Sequence, residues 1–132
     1  QKMSKSYDNT LEIFGEEKPS RKKIMRIVTD SAGVEDAKEP ETSTIYQLYS
    51  LFASETEREA MAEAYRKGGC GYGDFKKQLF EAYWNYFAPM REKRAELLQN
   101  QDYVNQVLRE GAEKARVVAV ETLKRTRTAM GL

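Results

Sequence analysis

Phe75, Leu79, Phe80, Tyr83, Trp84 and Phe87 fall on one side of the chain at helical spacing, which commits this stretch to an amphipathic helix with one aromatic face. Such a face needs other helices to cover it. The predicted fold class is all-α: a helical bundle preceded by an extended mobile loop. Exposed aromatics interleaved with basic residues would instead make a platform for bases, each worth about 1 to 3 kcal/mol. Here the only lysines, Lys76 and Lys77, sit at one end, so core packing is the assignment.

Residues 1–18 lack a sustained helical period and contain Asp8-Asn9-Thr10 and Gly15, so they read as a loop and linker, with 19–132 as the helical remainder. A helix is predicted to start near Pro19, whose fixed φ suits a first helical position. Ile24, Ile27 and Val28 form its apolar side, and it ends before Ser31-Ala32-Gly33. Thr42 or Ser43 is expected to cap a second helix that buries Ile45, Leu48, Tyr49 and Phe52. Ser54 with Glu57 matches a capping box. Gly68, Gly69, Gly71 and Gly73 lack the GxxxxGK[ST] spacing and a preceding strand, so they form a structural turn and not a nucleotide loop. Asp74 is expected to cap a helix from Phe75, and Pro89 to kink or restart it. Asp102 is expected to cap the last helix, whose seam of Val104, Val107, Leu108, Ala115, Val118, Ala119 and Thr122 should dock on the preceding helices.

With 22 Lys plus Arg, 21 Asp plus Glu, no His and one Cys, several chemistries are excluded within this stretch. Cys70 has no partner for an internal disulfide or a structural zinc site. Without His there is no Ser/His/Asp or Cys/His nucleophile. Any catalysis must work by charge placement. No apolar segment is long enough to span a bilayer and no signal-peptide pattern is present, so no membrane is expected and the cytoplasm is the default compartment. The start at Gln1 points to a piece of a longer protein. Charge is segregated: Glu35, Asp36, Glu39, Glu41, Glu55, Glu57, Glu59 and Glu63 face only Lys38 and Arg58, whereas the C-terminal part is basic. At about 100° per residue, Arg109, Arg116 and Arg127 fall within about 20° of one another, away from the apolar seam. This stripe is either a solvated face or a set of phosphate contacts, since arginine offers a planar fork of donors.

Lys2-Met3-Ser4-Lys5-Ser6 is a complete KMSKS sequence. A chance match in a chain of this length is a roughly one in ten thousand event on average residue usage. It resembles the second signature of class I aminoacyl-tRNA synthetases. Lys22-Lys23-Ile24-Met25-Arg26 leading to Thr29-Asp30-Ser31 is similar to the segment after that signature in tryptophanyl-tRNA synthetases. The same holds for Gly71-Tyr72-Gly73 with Lys76 and Lys77, and for Gly111-Ala112, Lys114-Ala115-Arg116, Ala119, Thr122-Leu123, Arg127, Ala129 and Gly131-Leu132. Tyrosyl enzymes share the fold and loop, but their C-terminal regions do not look like this one.

The resemblance implies the C-terminal part of a tryptophan-tRNA ligase, with ATP and Mg2+ as cofactors and ATP, L-tryptophan and tRNA(Trp) as partners. It implies a homodimer in the full-length enzyme. The Rossmann domain, its HIGH signature and the tryptophan pocket lie outside this stretch, so the chain alone is predicted inactive. In the reaction a carboxylate attacks the α-phosphorus of ATP and pyrophosphate leaves with growing negative charge. Lys2 and Lys5 are carried over as the catalytic ammonium groups. With Ser4 and Ser6, whose hydroxyls hydrogen-bond phosphate or loop backbone, they form the ATP-binding set. The helical remainder, 19–132, resembles the domain that supports the loop and contacts the anticodon end of tRNA, and Arg109, Arg116 and Arg127 are the tRNA-binding candidates. The alternative from another class is a non-catalytic helical module that binds tRNA or only positions the loop.

Overall fold

The computed structural model describes residues 4–132, the side chain of Lys5 excepted. Among these residues six α-helices follow a single 3-10 turn at Lys5–Tyr7: α1 (Glu17–Met25), α2 (Thr44–Tyr49), α3 (Glu55–Lys67), α4 (Tyr72–Tyr86), α5 (Ala88–Gln99) and α6 (Gln101–Ala129). There is no strand among the described residues, as the helical periodicity requires. None of these helices is long and apolar enough to cross a membrane. The chain divides into two compact units, residues 1–91 and 92–132.

In the first unit α4 is the central element and packs against α1 and α2, while α2 also packs on α3. Its aromatic stripe does what its spacing predicts. Phe75, Leu79, Phe80 and Tyr83 are buried with Ile24, Ile45, Tyr49, Met61 and Tyr65, and Leu48, Phe52, Trp84 and Phe87 pack on the edge. Each fully buried side chain of this size contributes about 1.5 to 3 kcal/mol. The rings interlock as well: Tyr65 stacks on Phe75 with centroids 3.9 Å apart, and Phe52 meets Tyr83 edge-on at 5.9 Å.

Caps set the helix boundaries, and some differ from those expected. Ser43 caps α2 by accepting from the Tyr46 amide, and Ser54 with Glu57 closes a full capping box on α3. α1 begins two residues before Pro19, at Glu17. The first-turn amides have no intrahelical partner, so a ring nitrogen at Pro19 costs no hydrogen bond. α1 also stops at Met25, so Val28 leaves the apolar side and stands 89% exposed. Gly71, not Asp74, precedes α4; Asp74 lies in its first turn and pairs with Lys77 at 2.9 Å. Pro89 falls in the first turn of α5, which restarts the helical path after Phe87.

In the second unit Asn100, not Asp102, caps α6: its side-chain oxygen accepts from the Tyr103 amide at 3.2 Å. Asp102 sits in the first turn, where negative charge is favoured by the helix dipole. No residue of α6 is buried, and Leu108 and Val118 are 65% and 66% exposed.

Candidate functional site

The described part of the KMSKS segment, Ser4 to Ser6, leads into a tight local hydrogen-bonded knot. The Ser4 amide donates to the Asn9 side-chain oxygen at 2.7 Å, and the Ser4 and Ser6 hydroxyls lie 2.6 Å apart. The Tyr7 amide donates to the Ser4 carbonyl at 3.1 Å, closing the 3-10 turn that Lys5 begins. Asp8 follows with φ 49°. Aspartate tolerates this left-handed conformation better than most residues, and it turns the chain back toward α1. Lys2 and Met3 lie outside the described residues, as does the side chain of Lys5.

The base of this loop is tied to the helical core. Lys23 of α1 pairs with the Asp8 carboxylate at 3.0 Å and donates to the Thr10 carbonyl at 3.2 Å. Tyr83 of α4, buried in the core, donates its hydroxyl to the Glu12 carbonyl at 2.7 Å. A cleft of about 370 Å³ opens beside it, lined by Tyr7, Asp8, Leu11, Lys23, Arg26 and Leu48 among others. The sequence pattern marks Lys23 only as one of several α1 lysines, and nothing in the spacing singles it out.

A second polar cleft, of about 240 Å³, is lined by Thr29, Asp30, Glu39, Thr42, Ser43 and Tyr72 among others. The Ala32 amide and then the Tyr72 hydroxyl donate to Asp30 and hold its carboxyl below the usual carboxylate range. Burial, and then that same bond to Asp30, push the Tyr72 phenol up to about 12. The acidic block does not neutralise Lys38 by carboxylates. Its ammonium donates to the carbonyls of Gly33, Val34 and Asp36 at 2.6, 3.3 and 2.8 Å, and the residue is 6% exposed. Three carbonyl dipoles satisfy a buried cation here, and the ammonium organises the loop. Within the same block the Glu41 carboxyl pairs with Arg66. The neighbouring Glu41 raises the Glu39 carboxyl above its usual range, while Glu39 holds Glu41 below it.

Arg109, Arg116 and Arg127 all lie on α6 and are exposed. None forms an ion pair among the described residues. Along the axis the stripe runs about 27 Å, at about 1.5 Å per residue. It belongs to the second unit, whereas the KMSKS loop belongs to the first.

Comparison with known proteins points the same way as the motif. The family described as tRNA synthetases class I (W and Y) matches residues 1–88. A tryptophan-tRNA ligase of Rhodopirellula baltica is 54% identical over 132 residues, which is 100% of this chain and 41% of the relative. The crystal structure of tryptophanyl-tRNA synthetase from Campylobacter jejuni is similar with a TM-score of 0.89 at 43% identity, over 99% of this chain and 41% of that one. The same enzyme complexed with ADP and tryptophan gives a TM-score of 0.92 over the same shares. The chain thus spans about two fifths of the length of the relatives it matches. With a complete KMSKS sequence, an all-helical body behind it and a match across 88 of its 132 residues, the chain belongs to the class I tRNA synthetases of the tryptophan and tyrosine group.

Proposed function

We propose that this chain is the part of a tryptophan-tRNA ligase that handles the phosphates of ATP, made of a loop and linker (1–18) and a helical part (19–132). The observation that carries this reading is the KMSKS segment, whose described part leads into a base fixed to α1 by Lys23 and to α4 by Tyr83. The tryptophan carboxylate attacks the α-phosphorus, the bond to the bridging oxygen breaks, and pyrophosphate carries the electron pair away. Lys2 and Lys5 offset that growing charge as mobile ammonium groups, and Ser4 and Ser6 hydrogen-bond phosphate or loop backbone. Such contacts act mainly in the transition state, and losing one costs about 2.7 to 4 kcal/mol.

In this reading Mg2+ accompanies the triphosphate as part of the substrate, and no step of this chain's residues runs through it. The whole enzyme is read as a cytoplasmic homodimer acting on ATP, L-tryptophan and tRNA(Trp), with the Rossmann domain supplying the tryptophan pocket. Tryptophan-dependent ATP/pyrophosphate exchange by the full-length protein tests the assignment. Lys5→Ala should lose at least about a hundredfold in rate, and this chain alone should be silent. A full-length protein without tryptophan-dependent exchange overturns it.

A second reading rests on the unpaired stripe of Arg109, Arg116 and Arg127: α6 binds the tRNA backbone, with or without catalysis nearby. Retention of tRNA by this chain in a gel shift supports that role. Binding that is insensitive to salt sinks it, because phosphate contacts release counterions.

A further inference from the structure

We infer that Lys23 is a positioning residue for the phosphate-handling loop, acting through Asp8, Thr10 and Asn9 on Ser4. The inference rests on the function proposed above and deepens it. A single ammonium grips the chain at two points, the Asp8 carboxylate at 3.0 Å and the Thr10 carbonyl at 3.2 Å. These points flank Asn9, whose side-chain oxygen accepts from the Ser4 amide at 2.7 Å. Ser4 stands between the two lysines of the motif. Three contacts therefore connect a helix in the packed core to the middle of the KMSKS segment.

The surroundings favour such a role. The Lys23 side chain is only 26% exposed, while that of Asp8 is 71% exposed, so the lysine is the held partner and the loop is the part that is caught. Asp8 sits at φ 49°, a conformation with little intrinsic preference outside glycine, asparagine and aspartate, so the ion pair helps to hold a turn that the backbone does not fix alone. Lys23 also pairs with the carboxylate of Asp8, which stands two residues after Ser6 in sequence, and opposite charge this close is felt even through partly screened solvent. Loss of the ammonium should therefore leave the loop tip less well placed and the local field more negative. Both effects oppose the transition state without touching the tryptophan pocket.

The test uses the full-length enzyme and tryptophan-dependent ATP/pyrophosphate exchange, with Lys5→Ala, Lys23→Met, Lys23→Arg, Asp8→Asn and the Asp8→Asn/Lys23→Met pair. Methionine keeps the stem of the lysine, and asparagine keeps the left-handed turn while removing only charge. Lys23→Met should lower kcat about tenfold, a charge-assisted contact discounted for partial exposure. KM for tryptophan and the melting temperature should stay near wild type. Lys23→Arg should recover most of the rate, and the double variant should be no worse than the worse single variant. Wild-type kcat in Lys23→Met, with Lys5→Ala still crippled, overturns the inference alone. So does a fall in melting temperature that accounts for the loss, or a double variant that loses the product of both effects. If Lys5→Ala runs at the wild-type rate, the phosphate reading itself fails and the positioning role fails with it.

Discussion

Replacing Gly68 by alanine should destabilise the first unit by about 3 kcal/mol, and its parts can be read from the fold. Gly68 ends α3 at φ 74°, ψ −173°, a region essentially confined to glycine, where another residue costs about 1 to 3 kcal/mol. A Cβ there would stand 2.4 Å from the Glu35 carbonyl oxygen and 3.1 Å from its carbon. The facing loop cannot easily retreat. The Lys38 ammonium clamps three of its carbonyls, the Lys38 amide donates to the Tyr65 carbonyl at 2.8 Å, and the Gly69 amide donates to the Val34 carbonyl at 2.9 Å. Giving up the Gly69 bond to relieve the clash adds about 1 kcal/mol. Gly73 is the internal control, since a Cβ there meets nothing within 4 Å and the residue lies within α4. Gly73→Ala should be neutral or stabilising by up to about 1 kcal/mol. Urea unfolding followed by helical circular dichroism measures both, with the slopes compared so that midpoints report stability. If the two alanine variants share a midpoint, the close approach of residues 33–38 to the α3–α4 turn is not what holds this region.

Two further outcomes are expected. Tyr72 is pushed up to about 12, so it binds its proton in the folded state after the unfolded chain, with phenols near about 10, has lost it; stability present below about 10 is then lost as pH rises toward 12. In Tyr72→Phe the slope of stability against pH in that window should be shallower, and an unchanged slope refutes the raised phenol that partial burial and the hydrogen bond to Asp30 produce. Changing Arg109, Arg116 and Arg127 to alanine one at a time should each reduce the salt dependence of tRNA binding by about 0.7 to 0.9 in the log-log slope; a slope that stays fixed while affinity falls would mean that these side chains act other than on phosphates.

The parts of the fold legible in the sequence are those in which one local rule acts without competition. The aromatic stripe of α4 reads directly because its period and its burial agree at Phe75, Leu79, Phe80 and Tyr83. The Ser54-Glu57 box reads directly because both halves of the motif are satisfied within four residues. The misjudged caps of α4 and α6 are those with two nearby candidates. Asn100 and Asp102 both suit a cap, and Gly71 competes with Asp74 for the start of α4; in each case the residue with non-helical backbone is the earlier one. α6 shows a different limit. Its apolar period is correct for a helix, but periodicity shows only that a face is apolar, not what covers it. The KMSKS motif is legible as a family signature because five residues in one order are improbable by chance. Its supports, Lys23 and Tyr83, belong to elements 13 and 71 residues from their partners Thr10 and Glu12, and no local pattern marks contacts of that range.

These supports also show how the helical body holds the stretch that follows the KMSKS motif. Tyr83 near the end of α4 holds the loop base at Glu12, and Lys76 nearer its start donates to the Met25 carbonyl at the end of α1 at 3.2 Å. A cation at that position also meets the favourable end of the helix dipole. Arg21 of α1 in turn pairs with Glu81 of α4 at 3.1 Å and lies over the Phe80 ring at 4.1 Å. α4 therefore fixes the angle of α1, and α1 carries Lys23. The exposed ion pair adds little by itself, but the buried ring and the core side chains beneath it make the α1–α4 contact stiff. Between this base and the motif, Ser4 and Ser6 bond to one another and the Ser4 amide bonds to the Asn9 side chain. The Asp8–Glu12 stretch is thus held by two helices that are themselves packed on each other, which is why its support can be tested separately from the motif residues.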